Sequence, residues 1–146
     1  MKFRSHIGWK QDNIFSARLG LTEEAAKYNT MKMANSERRF PAFWGPGFDW
    51  VPDHNWGGSG MIGMQEMLLQ EADGKIYLFP AWPKDWDVQF KVNITGREQI
   101  SGNYTQQKGL VLEKFNKNIP MKIVHNQLLP VHGSCNETSI FYGTIL

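Results

Sequence analysis

The stretch from Phe40 to Gln70 limits the folds open to this chain more than any other. It reads Phe-Pro-Ala-Phe-Trp-Gly-Pro-Gly-Phe-Asp-Trp-Val-Pro-Asp-His-Asn-Trp-Gly-Gly-Ser-Gly before a run of methionines and leucines begins. Three of the six tryptophans (Trp44, Trp50, Trp56), three of the seven prolines (Pro41, Pro46, Pro52) and six of the fourteen glycines fall within it. A surface linker is not this aromatic, and a core strand does not carry this much Pro and Gly. The segment from about Ser36 to Gly57 therefore reads as a long, rigid, non-repetitive loop. Its backbone is set by Pro and Gly, its tryptophans pack it down, and it presents a few polar groups into a cleft. Those groups are Asp49, Asp53 and His54, with Asn55 beside them.

The segments before the loop read as helices. Asp12 is placed to cap a short helix through Leu19, with Phe15 and Leu19 at i, i+4 and Ile14 and Ala17 alongside. Gly20 is placed to end it. Thr22 then reads as an N-cap, with Glu23 and Glu24 where the helix dipole favours negative charge. Ala25, Tyr28, Met31 and Ala34 recur every three residues and predict a second helix to about Met33–Asn35. The two make an αα-hairpin of a larger helical assembly, because two amphipathic helices do not close a core alone.

A third helix is expected over about 59–71. Its apolar arc, with Met61, Ile62, Met64, Met67, Leu68 and Leu69, is wide enough for burial on more than one side. Gln65 falls inside that arc and is expected to be buried and hydrogen-bonded, while Glu66 falls on the polar face. Asp73-Gly74 then signals a turn into a strand, Lys75 to Phe79, that Pro80-Ala81-Trp82-Pro83 ends with a stiff corner. Val88, Phe90 and Val92 alternate with Gln89 and Lys91 as in a half-buried strand. Further strands are expected at 97–105 and 109–115, and the pattern decays after about Phe115. Helices followed by strands give an α+β chain.

At 146 residues the chain fits one domain or pieces of two. Its net charge of +2 is no electrostatic footprint for nucleic acid or an anionic membrane. No apolar run approaches the ~20 residues of a membrane span, and the first ten residues lack the apolar core of a signal peptide. The single cysteine, Cys135, excludes an internal disulfide framework and a cysteine-based metal cluster.

From Pro52-Asp53-His54-Asn55-Trp56-Gly57-Gly58-Ser59, through Glu66-Met67-Leu68-Leu69-Gln70, to Ile76-Tyr77-Leu78-Phe79-Pro80-Ala81-Trp82-Pro83, the chain resembles the end of the catalytic domain of glycoside hydrolase family 95. This is the α-L-fucosidase and α-L-galactosidase family. It reads roughly Asp-Gly-Asn-Phe-Gly and two small residues, then Glu-Met-Leu-Leu-Gln, then Ile-x-Leu-Leu-Pro-Ala-Leu-Pro. The likeness runs in order over about residues 8 to 92, with His54 where the family has Gly. It implies an (α/α) six-hairpin barrel followed by a C-terminal β domain. Residues 1–72 then supply the last barrel helices and active-site loop, 73–125 part of the β domain, and 126–146 an irregular tail. It also implies inverting hydrolysis of an α-linked fucose- or galactose-like sugar, a glycan substrate, no cofactor, and a periplasmic or extracellular setting for the full-length family. The family's aspartate matches Asp53. Its general acid and its water-positioning asparagines lie upstream of anything in this chain. Inverting hydrolysis needs two groups on opposite faces of the sugar, about 6.5–9.5 Å apart when both are carboxylates, so the chain alone is expected to be inactive. The missing N-terminal part of a parent enzyme is the partner this implies.

Two readings stand for each candidate residue. Asp53 is either a cleft carboxylate in the base system or a loop residue that caps the next helix. His54 and Asn55 either bond sugar hydroxyls or satisfy the loop backbone. Trp50 and Trp56, like Trp44, either stack on a sugar or pack the loop, and Asp49 is either cleft-lining or solvated. Asp49, Asp53 and His54 are metal-ligand types, but their spacing matches no recognised metal motif. Three functions follow: a piece of a glycosidase, a non-enzymatic carbohydrate-binding module, or a purely structural one.

Overall fold

The fold is that of a computed structural model, which describes residues 10–34, 54–116 and 118–124, with His54, Asn55 and Trp56 known by backbone course alone. The chain is mixed α and β and divides into two compact units. A helical unit takes the described residues up to Gln70 together with Phe79–Pro83, and a β unit takes Glu71–Leu78 and the described residues from Lys84 onward.

In the helical unit, α1 (Asp12–Arg18) and α2 (Thr22–Met33) form the expected hairpin. Gly20 ends α1 at φ +73, a left-handed conformation that glycine adopts without strain. The Gly20 N–H donates to Ala17 O at 3.1 Å and the Leu21 N–H to Ser16 O at 2.9 Å, the pair of bonds of a Schellman cap. The expected N-caps are displaced by one residue. Asp12 and Thr22 are the first helical residues, Gln11 and Leu21 occupy the cap positions, and neither cap makes a side-chain hydrogen bond. Asp12, Glu23 and Glu24 still complement the dipole from the first turns.

The third helix, α3 (His54–Leu68), starts five residues earlier and ends three residues sooner than the sequence pattern predicts. Gly57, Gly58, Gly60 and Gly63 each cost an isolated helix roughly 1 kcal/mol relative to Ala, so packing rather than propensity makes this segment helical. The chain leaves α3 directly into β1 (Leu69–Ala72). The last carbonyls of α3 are satisfied from further along the chain. The Phe79 N–H donates to Leu68 O at 2.6 Å and the Ala81 N–H to Met67 O at 3.2 Å. Phe79, Ala81 and Trp82 are buried there with Met67, Leu68 and Leu69. The Phe79 and Trp82 rings meet at a 6.5 Å centroid distance, tilted by 55°. The corner Phe79–Pro83 is thus core of the helical unit as well as the end of a strand.

In the β unit, β2 (Lys75–Leu78) is reached from β1 through Asp73 and Gly74, both at positive φ, 51° and 69°. On its other side β2 pairs in parallel with β6 (Met121–Ile123), Ile76 opposite Met121 and Leu78 opposite Ile123. The second sheet is an antiparallel meander of β3 (Val88–Ile94), β4 (Glu98–Thr105) and β5 (Gly109–Lys114). The pleat buries Phe90, Ile94, Ile100, Tyr104 and Leu110 and turns Gln89, Lys91, Asn93 and Asn103 to the opposite face. A bulge between Ser101 and Gly102 shifts the β4–β5 register. A Cβ at Gly102 would run into the Val111 carbonyl and crowd the Phe90 ring.

Candidate functional site

The sequence-predicted residues fall into two groups. Asp49, Trp50 and Asp53 lie outside the described residues, as does Trp44. His54, Asn55 and Trp56 form the first turn of α3, so the loop predicted to reach Gly57 gives way to helix at His54. Asp53 is the residue before that helix in sequence.

Below that turn the three helices meet on polar side chains. Asn13 of α1, Asn29 and Lys32 of α2 and Ser59 of α3 are all buried, with Asn13 and Asn29 at 0 % exposure and Lys32 at 1 %. Asn13 Nδ2 donates to Asn29 Oδ1 at 2.9 Å and to the Ser59 carbonyl at 2.7 Å. Asn29 Nδ2 donates to the Ala25 carbonyl at 2.9 Å and lies 3.0 Å from Met67 Sδ. The Lys32 ammonium donates to Ser59 Oγ at 2.8 Å. Gly63 faces the two asparagine amides so closely that a Cβ would collide with Asn13 Nδ2 and Asn29 Oδ1. Asn13 Oδ1 is buried and accepts no hydrogen bond from the described residues.

This polar core shifts the faces expected of the helices, though Ala17 and Ala25 are buried as expected. Ala25, Asn29 and Lys32, at i, i+4 and i+7, point inward in α2, and Tyr28 and Met31 are only half-buried. In α1 the inward residues are Asn13, Ser16 and Ala17, while Phe15 is 58 % exposed and Leu19 73 %. In α3 the wide apolar arc is not buried on both sides: Met61 and Ile62 are exposed, and Gln65, expected inside, is also exposed. The reason is the close approach at Gly63, which sets the inward face of α3 along Ser59, Gly63 and Met67 and turns Met61, Ile62 and Gln65 away. Glu66 is not solvated either. It is 14 % exposed and pairs with Arg18 at 2.6 Å. Gln70 Nε2 closes the same seam, donating to the Ala17 carbonyl at 2.9 Å.

The sequence reading missed Asn13, Asn29, Lys32 and Ser59. Their signal was the Ala25-Asn29-Lys32 stripe at helical spacing, which competes with the more apolar Tyr28 and Met31 on the adjoining face. Chemically the cluster offers amide, hydroxyl and ammonium groups, all suited to holding oxygen-rich partners by hydrogen bonds. It contains no carboxylate among the described residues. In the β unit, an open concavity of about 550 Å³ lies on the β3–β5 sheet, lined by Gln89, Lys91, Gln99, Ser101, Glu113 and Lys114. Among the described residues no group of three or more His, Cys, Asp or Glu stands together, and no helix is long and apolar enough to cross a membrane.

No protein-family model matches the chain, and no curated protein or solved structure gives a significant match.

Proposed function

We propose that this chain is part of a glycoside hydrolase of the family 95 type, acting on α-linked fucose- or galactose-like sugars with inversion. In this reading the helical unit is the closing part of an (α/α) six-hairpin barrel, and the strands begin its C-terminal β domain. Asp53 belongs to the base system. His54, Asn55, Trp50, Trp56 and Asp49 contact the sugar. The general acid and water-positioning asparagines have no counterpart in this chain, so it binds without turning over.

The observation that carries the reading is the polar cluster buried among α1, α2 and α3, with large apolar side chains left exposed on the same helices. Their mutual contacts include the polar cluster Asn13, Asn29, Lys32 and Ser59 beside Ala17, Ala25 and Met67, while Phe15, Leu19, Met61 and Ile62 are exposed. Helices of a barrel that surrounds a polar pocket need polar inner faces and apolar flanks for neighbouring hairpins. A three-helix bundle complete in itself would not leave Phe15, Leu19, Met61 and Ile62 exposed together. The change from helix to strand directly after α3 follows the order of the resemblance.

The test is titration of the chain with an iminosugar analogue of fucose, with calorimetry and nuclear magnetic resonance as readouts. Weak binding is expected, with Asp53→Asn weakening it at least about tenfold, and no turnover of aryl α-L-fucosides or aryl α-galactosides. Absence of binding to the fucose and galactose analogues, or equal affinity in Asp53→Asn, overturns the assignment.

A further inference from the structure

The open concavity on the meander lies within the β unit, and every residue lining it belongs to β3, β4 or β5. Strand register sets its central row. Lys91 of β3 stands opposite Ser101 of β4, and Ser101 stands opposite Lys114 of β5. A small hydroxyl therefore lies between two ammonium-bearing side chains, one on each flanking strand. Those strands are about 10 Å apart at the usual spacing between neighbours. Two flexible four-carbon stems can close that gap over Ser101.

Strict alternation from Val111 and Glu113 would turn Lys114 to the other face of the sheet. The bulge between Ser101 and Gly102 sets Glu113 and Lys114 together against Ser101, and both line the concavity. Gly102 permits this irregularity, since a Cβ there would stand 2.5 Å from the Val111 carbonyl oxygen. The second lysine thus reaches this face through a local departure from the regular ladder. Both lysines are exposed, and among the described residues neither forms an ion pair.

Amides flank the central row, about 7 Å away along the strands in each direction. Gln89 stands opposite Asn103 on one side, and Asn93 opposite Gln99 on the other. Gln99 Nε2 donates to Asn93 Oδ1 at 3.0 Å, which leaves the Gln99 side-chain oxygen to accept. The face thus presents a cationic centre between two rows of groups that donate and accept. Ammonium groups match a carboxylate, and amides match sugar hydroxyls. Phe90, the aromatic residue of the lining, is 6 % exposed. Nucleic-acid bases therefore find no ring to stack on, and a peptide finds no apolar pocket for an anchor side chain.

We propose that the β3–β5 face binds an acidic oligosaccharide, with a carboxylate held by Lys91 and Lys114 over Ser101 and hydroxyls held by Gln89, Gln99 and Glu113. This surface lies in the β unit and owes nothing to the glycosidase reading.

The test is amide-resolved nuclear magnetic resonance titration of the full chain with a galacturonic acid trimer, a neutral galactose trimer, a glutamate trimer and sodium sulfate. Shifts caused by the galacturonate trimer are expected to centre on Gln89, Lys91, Gln99, Ser101, Glu113 and Lys114. Its binding is expected to be at least about tenfold tighter than that of the other three probes. Lys91→Gln and Lys114→Gln are each expected to weaken it about fivefold or more. Lys108→Gln, an equal loss of charge in the exposed turn between β4 and β5, is expected to change it by less than about twofold. Dispersed amide signals over Val88–Lys114 verify the fold of each variant. Raising sodium chloride to about 0.3 M is expected to weaken wild-type binding several-fold, a readout that needs no substitution. Absence of galacturonate binding, shifts centred outside this face, or affinity indifferent to salt overturns the proposal. Equal affinity for the glutamate trimer or sulfate marks a general anion surface and overturns the saccharide assignment, as does an equal loss in Lys108→Gln. Equal affinity for the neutral trimer overturns the role of the two lysines.

Discussion

Asn13 and Asn29 stand on different helices and are joined amide to amide at 2.9 Å, over a glycine of a third helix. Gly63 makes that junction possible, because any side chain there would occupy the space of the two amides. Replacing Gly63 by Ala is expected to destabilise the helical unit by about 3 kcal/mol, from overpacking and loss of a buried hydrogen bond. Gly58→Ala is the matched control. Among the described residues its Cβ meets nothing, so it is expected to stabilise by about 0.5–1 kcal/mol. Urea denaturation followed by far-ultraviolet circular dichroism reads both, and equal effects of the two substitutions would refute the account of Gly63.

The amide pair should also behave as a coupled unit. Asn29→Ala strips Asn13 Nδ2 of one acceptor and vacates the bond to the Ala25 carbonyl, which is expected to cost about 2–3 kcal/mol. Asn13→Ala removes the same junction and the bond to Ser59. The double substitution is expected to cost less than the sum of the two by about 1 kcal/mol, the mark of a direct interaction in a double-mutant cycle. Strict additivity would count against it.

Trp82 is expected to matter for α3 although it lies beyond two strands in sequence. It is 5 % exposed and packs in the corner whose Phe79 and Ala81 N–H groups cap the helix carbonyls. Trp82→Ala is expected to cost about 3–4 kcal/mol. Amide exchange at Phe79 and Ala81 should accelerate more than exchange at Ile100 in β4. Uniform acceleration across both units would show that the corner has no special link to α3.

Tyr104 makes the β unit sensitive to alkali. Burial of its phenol, then the charges of Asp87 and Asp85, raise its pKa above the ordinary 10.0, and its hydroxyl donates to the Lys84 carbonyl at 3.0 Å. The neutral form is favoured in the folded chain. Stability is therefore unaffected below about pH 9, and declines as pH rises from about 10, where the unfolded chain ionises, through the higher folded value. Tyr104→Phe should abolish this decline while costing about 1 kcal/mol at neutral pH for the lost bond. Phenolate absorbance against pH in wild type and Asp87→Asn checks the cause, since the substitution should bring the titration down toward the ordinary value.

Much of the local structure was legible in the residues. Gly20 marked the turn of the hairpin, Asp73-Gly74 the turn into β2, and the alternation of Val88, Phe90 and Val92 the strand β3. These signals are local: a positive φ, or a period of two, is written in adjacent residues. The failures have a common cause as well. Leu69 and Gln70 look like more helix, yet they open β1. Gly57 and Gly58 look like loop, yet they lie inside α3. Met121–Ile123 shows no clear period, yet it pairs with β2 across more than forty residues. In each case a partner distant in sequence overrides local preference.

What the amino acids determined alone is the succession of a helical hairpin, a third helix and a series of strands, along with the turns between them. Which face of each helix is turned inward was decided only by tertiary structure. Hydrophobic periodicity ranks faces by transfer from water, and it would send Phe15, Leu19 and Met61 inside. The chain instead brings α3 against α1 and α2 at Gly63, and that contact admits only short or hydrogen-bonding neighbours. Asn13 and Asn29 therefore lie inside, where their amides bond each other and the backbone over Gly63, and Lys32 lies inside where its ammonium bonds Ser59.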